Sequence, residues 1–245
     1  MQVNKKIIYM FMLSQMLMCS HGLIGKDNSS KKDEIGKEEY VGMFSGKYEG
    51  EELNGKAHGK GKVTSVLGDV LEGTFVNDEA KGFFIVKYVD GERFEGEFRK
   101  GVAEGKGKYF WPEGDSYEGE YKNGKKNGYG IFYFASGARY EGYFKEGLRH
   151  GKGKHFFANG TYYEGDFNKD KICGKGVKTF KNGGKYVGDF KDDKLNGLGT
   201  YYNPDGSYYQ GEFANDKPHG YGRLFDKNGK LLGEGNWENG VYKGK

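Results

Sequence analysis

Tyr117-Glu118-Gly119-Glu120-Tyr121-Lys122-Asn123-Gly124-Lys125-Lys126-Asn127-Gly128-Tyr129-Gly130 is the stretch that decides the fold. Two short runs of alternating character flank Asn123-Gly124. An Asn-Gly pair in that setting signals a two-residue hairpin turn, whose central residues both need positive φ. Stepping 23 residues at a time along the chain meets Tyr48, Leu71, Phe94, Tyr117, Tyr140, Tyr163, Tyr186 and Tyr209. These residues start eight units, numbered 1 to 8, and positions are counted from each start. Position 3 is Gly throughout. Position 5 is aromatic except for Glu52, and position 14 is Gly except for Phe84. Positions 12 and 21 are Gly in every unit, and no gap is needed from 48 to 231.

The composition agrees with this pattern. The chain holds 45 Gly, 20 Tyr and 18 Phe but only 3 Pro. Glycine without a three-residue period excludes collagen. Abundant aromatics exclude a disordered low-complexity chain. The fold expected is all-β: an elongated, single-layer antiparallel sheet of stacked 23-residue β-hairpins, with sixteen strands spanning roughly 75 Å. A lone hairpin is marginal in water, so stacking must stabilise the units. Side chains alternate along a strand, which puts positions 1, 3 and 5 on one face as ring, Gly, ring. Positions 12, 14, 16 and 18 are expected on one face in the same way. Rings laid across the bare glycine backbone of a neighbouring strand explain why Gly is retained inside strands.

The N-terminus reads differently. Lys5 and Lys6 precede an apolar run from Ile7 to Met18, broken by Ser14 and Gln15. That is a secretory pattern, too short for a membrane span of roughly 20 residues. Two processing routes fit residues 1–25: cleavage after Gly22, or modification of Cys19 as in a bacterial lipoprotein, although Met16-Leu17-Met18 departs from the usual lipobox. The product would be exported and held at the envelope or membrane, lipid-anchored or secreted. Residues 26–39 read as a polar linker, 40–47 as a degenerate leading strand, 48–231 as the eight repeats and 232–245 as a partial repeat that caps the end.

The unit Tyr-Glu-Gly-Glu-Tyr at 117–121, with His150-Gly151-Lys152-Gly153 at the start of a second strand, closely resembles the MORN (membrane occupation and recognition nexus) repeat. That resemblance implies an elongated, twisted antiparallel sheet with a groove, and roles in scaffolding, dimerisation and phospholipid association.

Motifs that suggest chemistry have simpler readings. Gly50 to Lys56 and Gly119 to Lys125 imitate a phosphate loop, but Ala57 and Lys126 follow where Ser or Thr is required. His58, His150 and His219 share position 11, yet two strands per unit hold them roughly 28 Å or more apart, so they cannot share a metal. Cys173 occupies the same position. Acidic rows at positions 2 and 4 face away from the rings and pair with lysines such as Lys60, Lys106, Lys152 and Lys175. A row repeated in every unit offers no privileged acid–base pair. No catalytic residue, metal, cofactor or small-molecule substrate is expected. With 39 basic and 35 acidic residues, neither is nucleic acid. The candidate binding groove lies along the ring face at Tyr109, Phe110, Trp111, Phe132, Tyr133, Phe134, Phe156 and Tyr202. Positions 16 and 18 read as an internal ring layer, with position 17 on the opposite face. The function expected is a non-enzymatic scaffold or adaptor that binds a protein or a second copy of itself at the membrane or envelope. The alternative is a peripheral binder of anionic phospholipid.

Overall fold

The computed structural model describes residues 44–245 and the backbone of 6–8. The remainder of the targeting segment, including Cys19 and Gly22, and the linker 26–39 lie outside the described residues. The described chain is one open antiparallel meander, in which each strand pairs with its neighbours in sequence. It runs from Lys6–Ile8, Gly46–Leu53 and Lys56–Ser65 to Leu231–Glu238 and Val241–Gly244. There is no helix among the described residues.

Unit 6 shows why these residues build this sheet. Its strands, Tyr162–Asn168 and Lys171–Thr179, are joined at Lys169 and Asp170, which hold φ of 48° and 67°. Gly165 pairs directly with Gly176. The ring of Tyr163 lies over both: a Cβ on either glycine would come 2.6 Å from a ring carbon. The Tyr163 hydroxyl then donates to the carbonyl of Asp166 at 3.1 Å. The same side-chain bond recurs from Tyr48, Tyr117, Tyr140, Tyr186 and Tyr209. Tyr163 also meets Phe167 edge-on at 5.3 Å and Phe190 of the next unit at 5.0 Å. Repeated unit by unit, these contacts make a herringbone ladder of rings that ends on Trp237. Each edge-to-face contact adds about 0.5–1.5 kcal/mol beyond the area it buries. A single-layer sheet thereby buries a core: the rings cover one another and the glycines beneath them.

Unit 2 breaks the sequence pattern twice and keeps the packing. Leu71 stands where a ring is expected, and Phe84 replaces the position-14 glycine. Phe84 pairs with Gly73, and its own ring fills the slot over Gly73 from the partner strand. It contacts Phe75 at 5.1 Å and Phe98 at 5.3 Å, so the ladder is unbroken.

One expectation needs correction. Position 12 does not share the ring face with position 14. Every position-12 glycine has positive φ, from 59° at Gly174 to 110° at Gly105, and register shifts interrupt the pairing inside each hairpin. The second strand carries two extra residues at this bulge, so positions 10 and 14 both keep the ring face, and the positive φ turns position 12 alone towards the other face. The position-4 carboxylate folds over that glycine and accepts the N–H of position 13, as from Lys175 to Asp166 at 3.2 Å and from Leu198 to Asp189 at 3.2 Å. The acidic row thus fastens the bulge as well as forming ion pairs. Where the turn carries Asp instead of Gly, that side chain ties units together: Asp193 and Asp216 accept the N–H of Ile172 and Leu195, both at 2.9 Å.

The core contains charge that the repeat pattern does not announce. Position 10 reads Ala57, Ala80, Ala103, then Lys126 and Arg149, both buried. The Lys126 ammonium stands 5.2 Å from the ring centres of Trp111 and Phe132. Arg149 spans Tyr140 and Phe167 and bonds Asp170. His155 is 2% exposed, stacked between Phe134 and Phe157. Its Nδ1 lies 3.2 Å from an Arg149 nitrogen, while its Nε2 is buried without a partner. Arginine only donates, so Nδ1 accepts and the ring is neutral. Burial, then Arg149 and Lys178, pulls its pKa down to about 3.

Two outcomes follow. Phe84→Gly empties the ring slot of unit 2 and should destabilise it by about 3–5 kcal/mol, while adding Leu71→Tyr should restore most of the urea midpoint. A double variant no better than Phe84→Gly would refute the exchange of rings across the strand pair. For His155, the unfolded chain takes up a proton below pH 6.5 that the folded chain refuses until about pH 3. Stability is therefore complete above pH 6.5 and falls as pH drops towards 3, by a few kcal/mol in order of magnitude. His155→Phe should remove this loss, so that its melting temperature and that of the parent diverge from pH 6.5 to 4; parallel curves would contradict it.

Candidate binding groove

The rings take one face, so the other face is left with bare backbone between rows of side chains. In units 5 to 8 the glycines pair in an unbroken series across the strands: 142 with 153, 153 with 165, 165 with 176, 176 with 188, 188 with 199 and 199 with 211. They floor an open trough of about 890 Å³ that runs across eight strands, from Tyr129 to Gly211. At the usual strand spacing it is roughly 33 Å long. The rings of Tyr140, Tyr163, Tyr186 and Tyr209 underlie the floor, which is therefore one backbone thick and firmly backed.

One wall comes from positions 4 and 13: Tyr129, Tyr143, Lys152, Lys175 and Leu198. The other comes from positions 2 and 15, among them Glu141, Lys154, Glu164, Val177 and Val187. The charges are already matched. Lys152 reaches Asp166 at 2.7 Å, Lys175 reaches Asp189 at 3.0 Å, and Lys154 reaches Glu164 at 3.6 Å. Such exposed pairs contribute little and exchange partners readily. Tyr129 donates to Glu141 at 2.7 Å and meets the Tyr143 ring edge-on at 5.6 Å. That bond, ahead of burial, lifts the Tyr129 phenol to about 12, so it remains a donor.

The eight residues expected to form a groove do not form one surface. Tyr109, Phe132 and Phe134 are buried in the ring layer, and Trp111 is wedged between Tyr109 and Phe132. The ring face at those positions is core. Phe110, Tyr133, Phe156 and Tyr202, all at position 17, lie on the trough face beyond its second wall. Sequence reasoning missed Tyr129, Tyr143, Val187 and Leu198. Their signal was departure from the repeat: position 13 is Lys in four units but Tyr129 in unit 4 and Leu198 in unit 7, and position 4 is acidic in six units but Tyr143 in unit 5. Tyr143 is 52% exposed and Leu198 64%. His58, His150 and His219 stand on separate strands, and no three His, Cys, Asp or Glu residues gather as a metal set among the described residues.

The MORN repeat model matches residues 48–69, 94–116, 117–139, 140–162, 163–185, 186–208 and 209–230. Unit 2 is the gap in that series, and it is the unit whose ring comes from Phe84. No curated protein sequence matches the chain. Among solved structures, the chain is similar to the TCP10 domain of Danio rerio CPAP in complex with a peptide of Danio rerio STIL. Identity is 17%, covering 73% of this chain and 84% of that one, with a TM-score of 0.38. It is also similar to the SAS-4 (dCPAP) TCP domain of Drosophila melanogaster, in complex with a proline-rich motif of Ana2 (dSTIL). There identity is 16%, coverage 61% and 82%, and the TM-score 0.38.

Proposed function

The chain belongs to the MORN repeat family, and on that premise we propose that it is a non-catalytic scaffold whose glycine-floored trough holds an extended segment of a partner protein. The observation that carries this is the placement of Tyr129, Tyr143, Val187 and Leu198. Each departs from a polar repeat position, each exposes apolar surface, and all line one trough. Exposed apolar groups gathered in a concavity contribute little to the free chain and are suited to anchor a ligand. The form of the ligand follows from the walls. They rise from residues two apart on each strand, so their backbones stand roughly 6.7 Å apart. A helix is about 10–12 Å across and rides above them, whereas an extended chain fits between. The exchangeable lysine–carboxylate pairs then supply donors and acceptors to its backbone. The phospholipid alternative has less behind it, because Lys152, Lys154 and Lys175 each sit against a carboxylate.

The test is selection of extended peptides from a random library on the full chain. Tyr143→Ala with Leu198→Ala should weaken the selected peptides at least tenfold and destabilise the fold by no more than the one Tyr129–Tyr143 ring contact, about 0.5–1.5 kcal/mol. Peptides that bind parent and double variant equally would defeat this reading. Placement at the envelope rests on residues 1–25 alone. A C-terminally tagged full chain should fractionate with membranes or outside the cell. Release by Cys19→Ala would mean lipid anchoring, an unchanged membrane fraction would mean retention without it, and recovery solely in the cytosol would overturn export.

A further inference from the structure

A second lane runs beside the trough on the same face, built from residues that the trough does not use. The register places Phe110 opposite Ser116, Ser116 opposite Tyr133, Tyr133 opposite Arg139, and Arg139 opposite Phe156. Read across the strands, the lane is ring, hydroxyl, ring, guanidinium, ring, one residue per strand. Phe110 and Tyr133 are 38% and 40% exposed. The Arg139 guanidinium lies 4.4 Å from the Phe156 ring centre, with one nitrogen 3.6 Å from Glu141. Beyond Phe156 the register continues to Tyr162, whose ring packs against Phe156 at 4.9 Å and ends the alternation, and then to Thr179.

The spacing selects the ligand. Rings recur once per hairpin, which is two strands or about 9.4–9.8 Å. A polyproline II helix has three residues per turn and rises 3.1 Å each, so it repeats every 9.3 Å or so. Laid across the strands, it would set every third residue on a ring, drifting by only about 0.1–0.5 Å per hairpin over units 3 to 5. Its backbone makes no internal hydrogen bonds, leaving its carbonyls free to accept, and the donors between the rings are Ser116 and Arg139. An extended strand, at about 3.3 Å per residue with side chains alternating in direction, does not keep that phase. Aromatic surfaces with interspersed donors are how proline-rich segments are held in general.

We propose that the lane Phe110–Ser116–Tyr133–Arg139–Phe156 is a docking site for a proline-rich segment in the polyproline II conformation, with proline at every third residue. It does not depend on the trough reading, since the two share no residue.

The test is calorimetric titration of the full chain with a synthetic peptide of about four Pro-x-x triplets, against a peptide of the same composition with its prolines gathered at one end. Saturable binding of the periodic peptide, several-fold tighter than the control, is expected. Tyr133→Ala should weaken it roughly tenfold, equivalent to 1.4 kcal/mol. Arg139→Gln, which leaves every ring in place, should also weaken it, and Tyr143→Ala with Leu198→Ala should not. Melting curves establish that each variant is folded. Equal binding of the two peptides, indifference to both Tyr133→Ala and Arg139→Gln, or absence of saturation would overturn the proposal. So would binding of a β-linked glucose oligosaccharide by the same residues in place of the peptide, which would assign the lane to a glycan.

Discussion

The structure depends on one contact: an aromatic ring laid flat over a pair of glycines that face each other across two strands. Glycine is a poor strand residue because it brings no side chain and loses much conformational freedom on folding. Here its bareness is what lets the ring descend onto the backbone, and the ring supplies the packing that glycine lacks. The tyrosine hydroxyl is satisfied by the carbonyl one residue beyond the covered glycine, so burying the ring does not strand its hydroxyl. Unit 2 shows that the requirement is for the ring and not for the residue that carries it. Phe84 reaches the same slot from the opposite strand, and the position-1 residue relaxes to leucine. The family model passes over this unit, though its hairpin packs like the others.

Much of this was legible in the residues themselves. The 23-residue step marked the units, Asn-Gly pairs marked the turns, and the spacing of ring and glycine in Tyr163-Glu164-Gly165 foretold that rings would cover backbone. The acids at positions 2 and 4 also fall on the face opposite the rings. The departure in the second strand is confined to position 12. Gly105 and its counterparts sit in a bulge of two extra residues, where positive φ turns position 12 towards the carboxylates while positions 10 and 14 keep the ring face. Positions 16 and 18 form the internal ring layer that the sequence suggests, with position 17 on the other face, so the ring face itself offers no groove. Nothing in the sequence says that neighbouring units close their rings edge-to-face tightly enough to leave Tyr117 and Tyr140 wholly buried without a second layer. Lys126, Arg149 and His155 escaped notice because long amphipathic side chains fit an apolar column when rings accept their cations.

The same contact divides labour between the faces. Rings fill one face, so the other carries no structural burden beyond the position-4 acids that fasten the bulges. Positions 2, 13, 15 and 17 can therefore vary from unit to unit without disturbing the ladder. They do vary: position 13 alternates among Lys106, Tyr129, Lys152, Lys175, Leu198 and Tyr221 while the ring and glycine columns beneath hold constant. Irregularity over a regular scaffold is where recognition is recorded in a repeat protein, since each unit needs only its neighbours for stability.

The geometry also constrains what such a face can recognise. Between the bulges the strands pair with their neighbours on both sides, so a ligand lying across them gains affinity through side chains and the features of its own backbone, not by extending the ladder. Contacts recur at the hairpin pitch of about 9.6 Å. A ligand whose own period matches that pitch can add contacts unit by unit. One whose period differs is held at an end and drifts out of phase. The trough answers this with separate anchors, an aromatic pair at Tyr129 and Tyr143 and an aliphatic group at Val187 and Leu198, between which phase matters little. The lane from Phe110 to Phe156 has identical pitch at every step and no such gap. Two neighbouring surfaces on one sheet thus differ in tolerance: one suits a chain held at two points, the other a chain with its own three-residue rhythm.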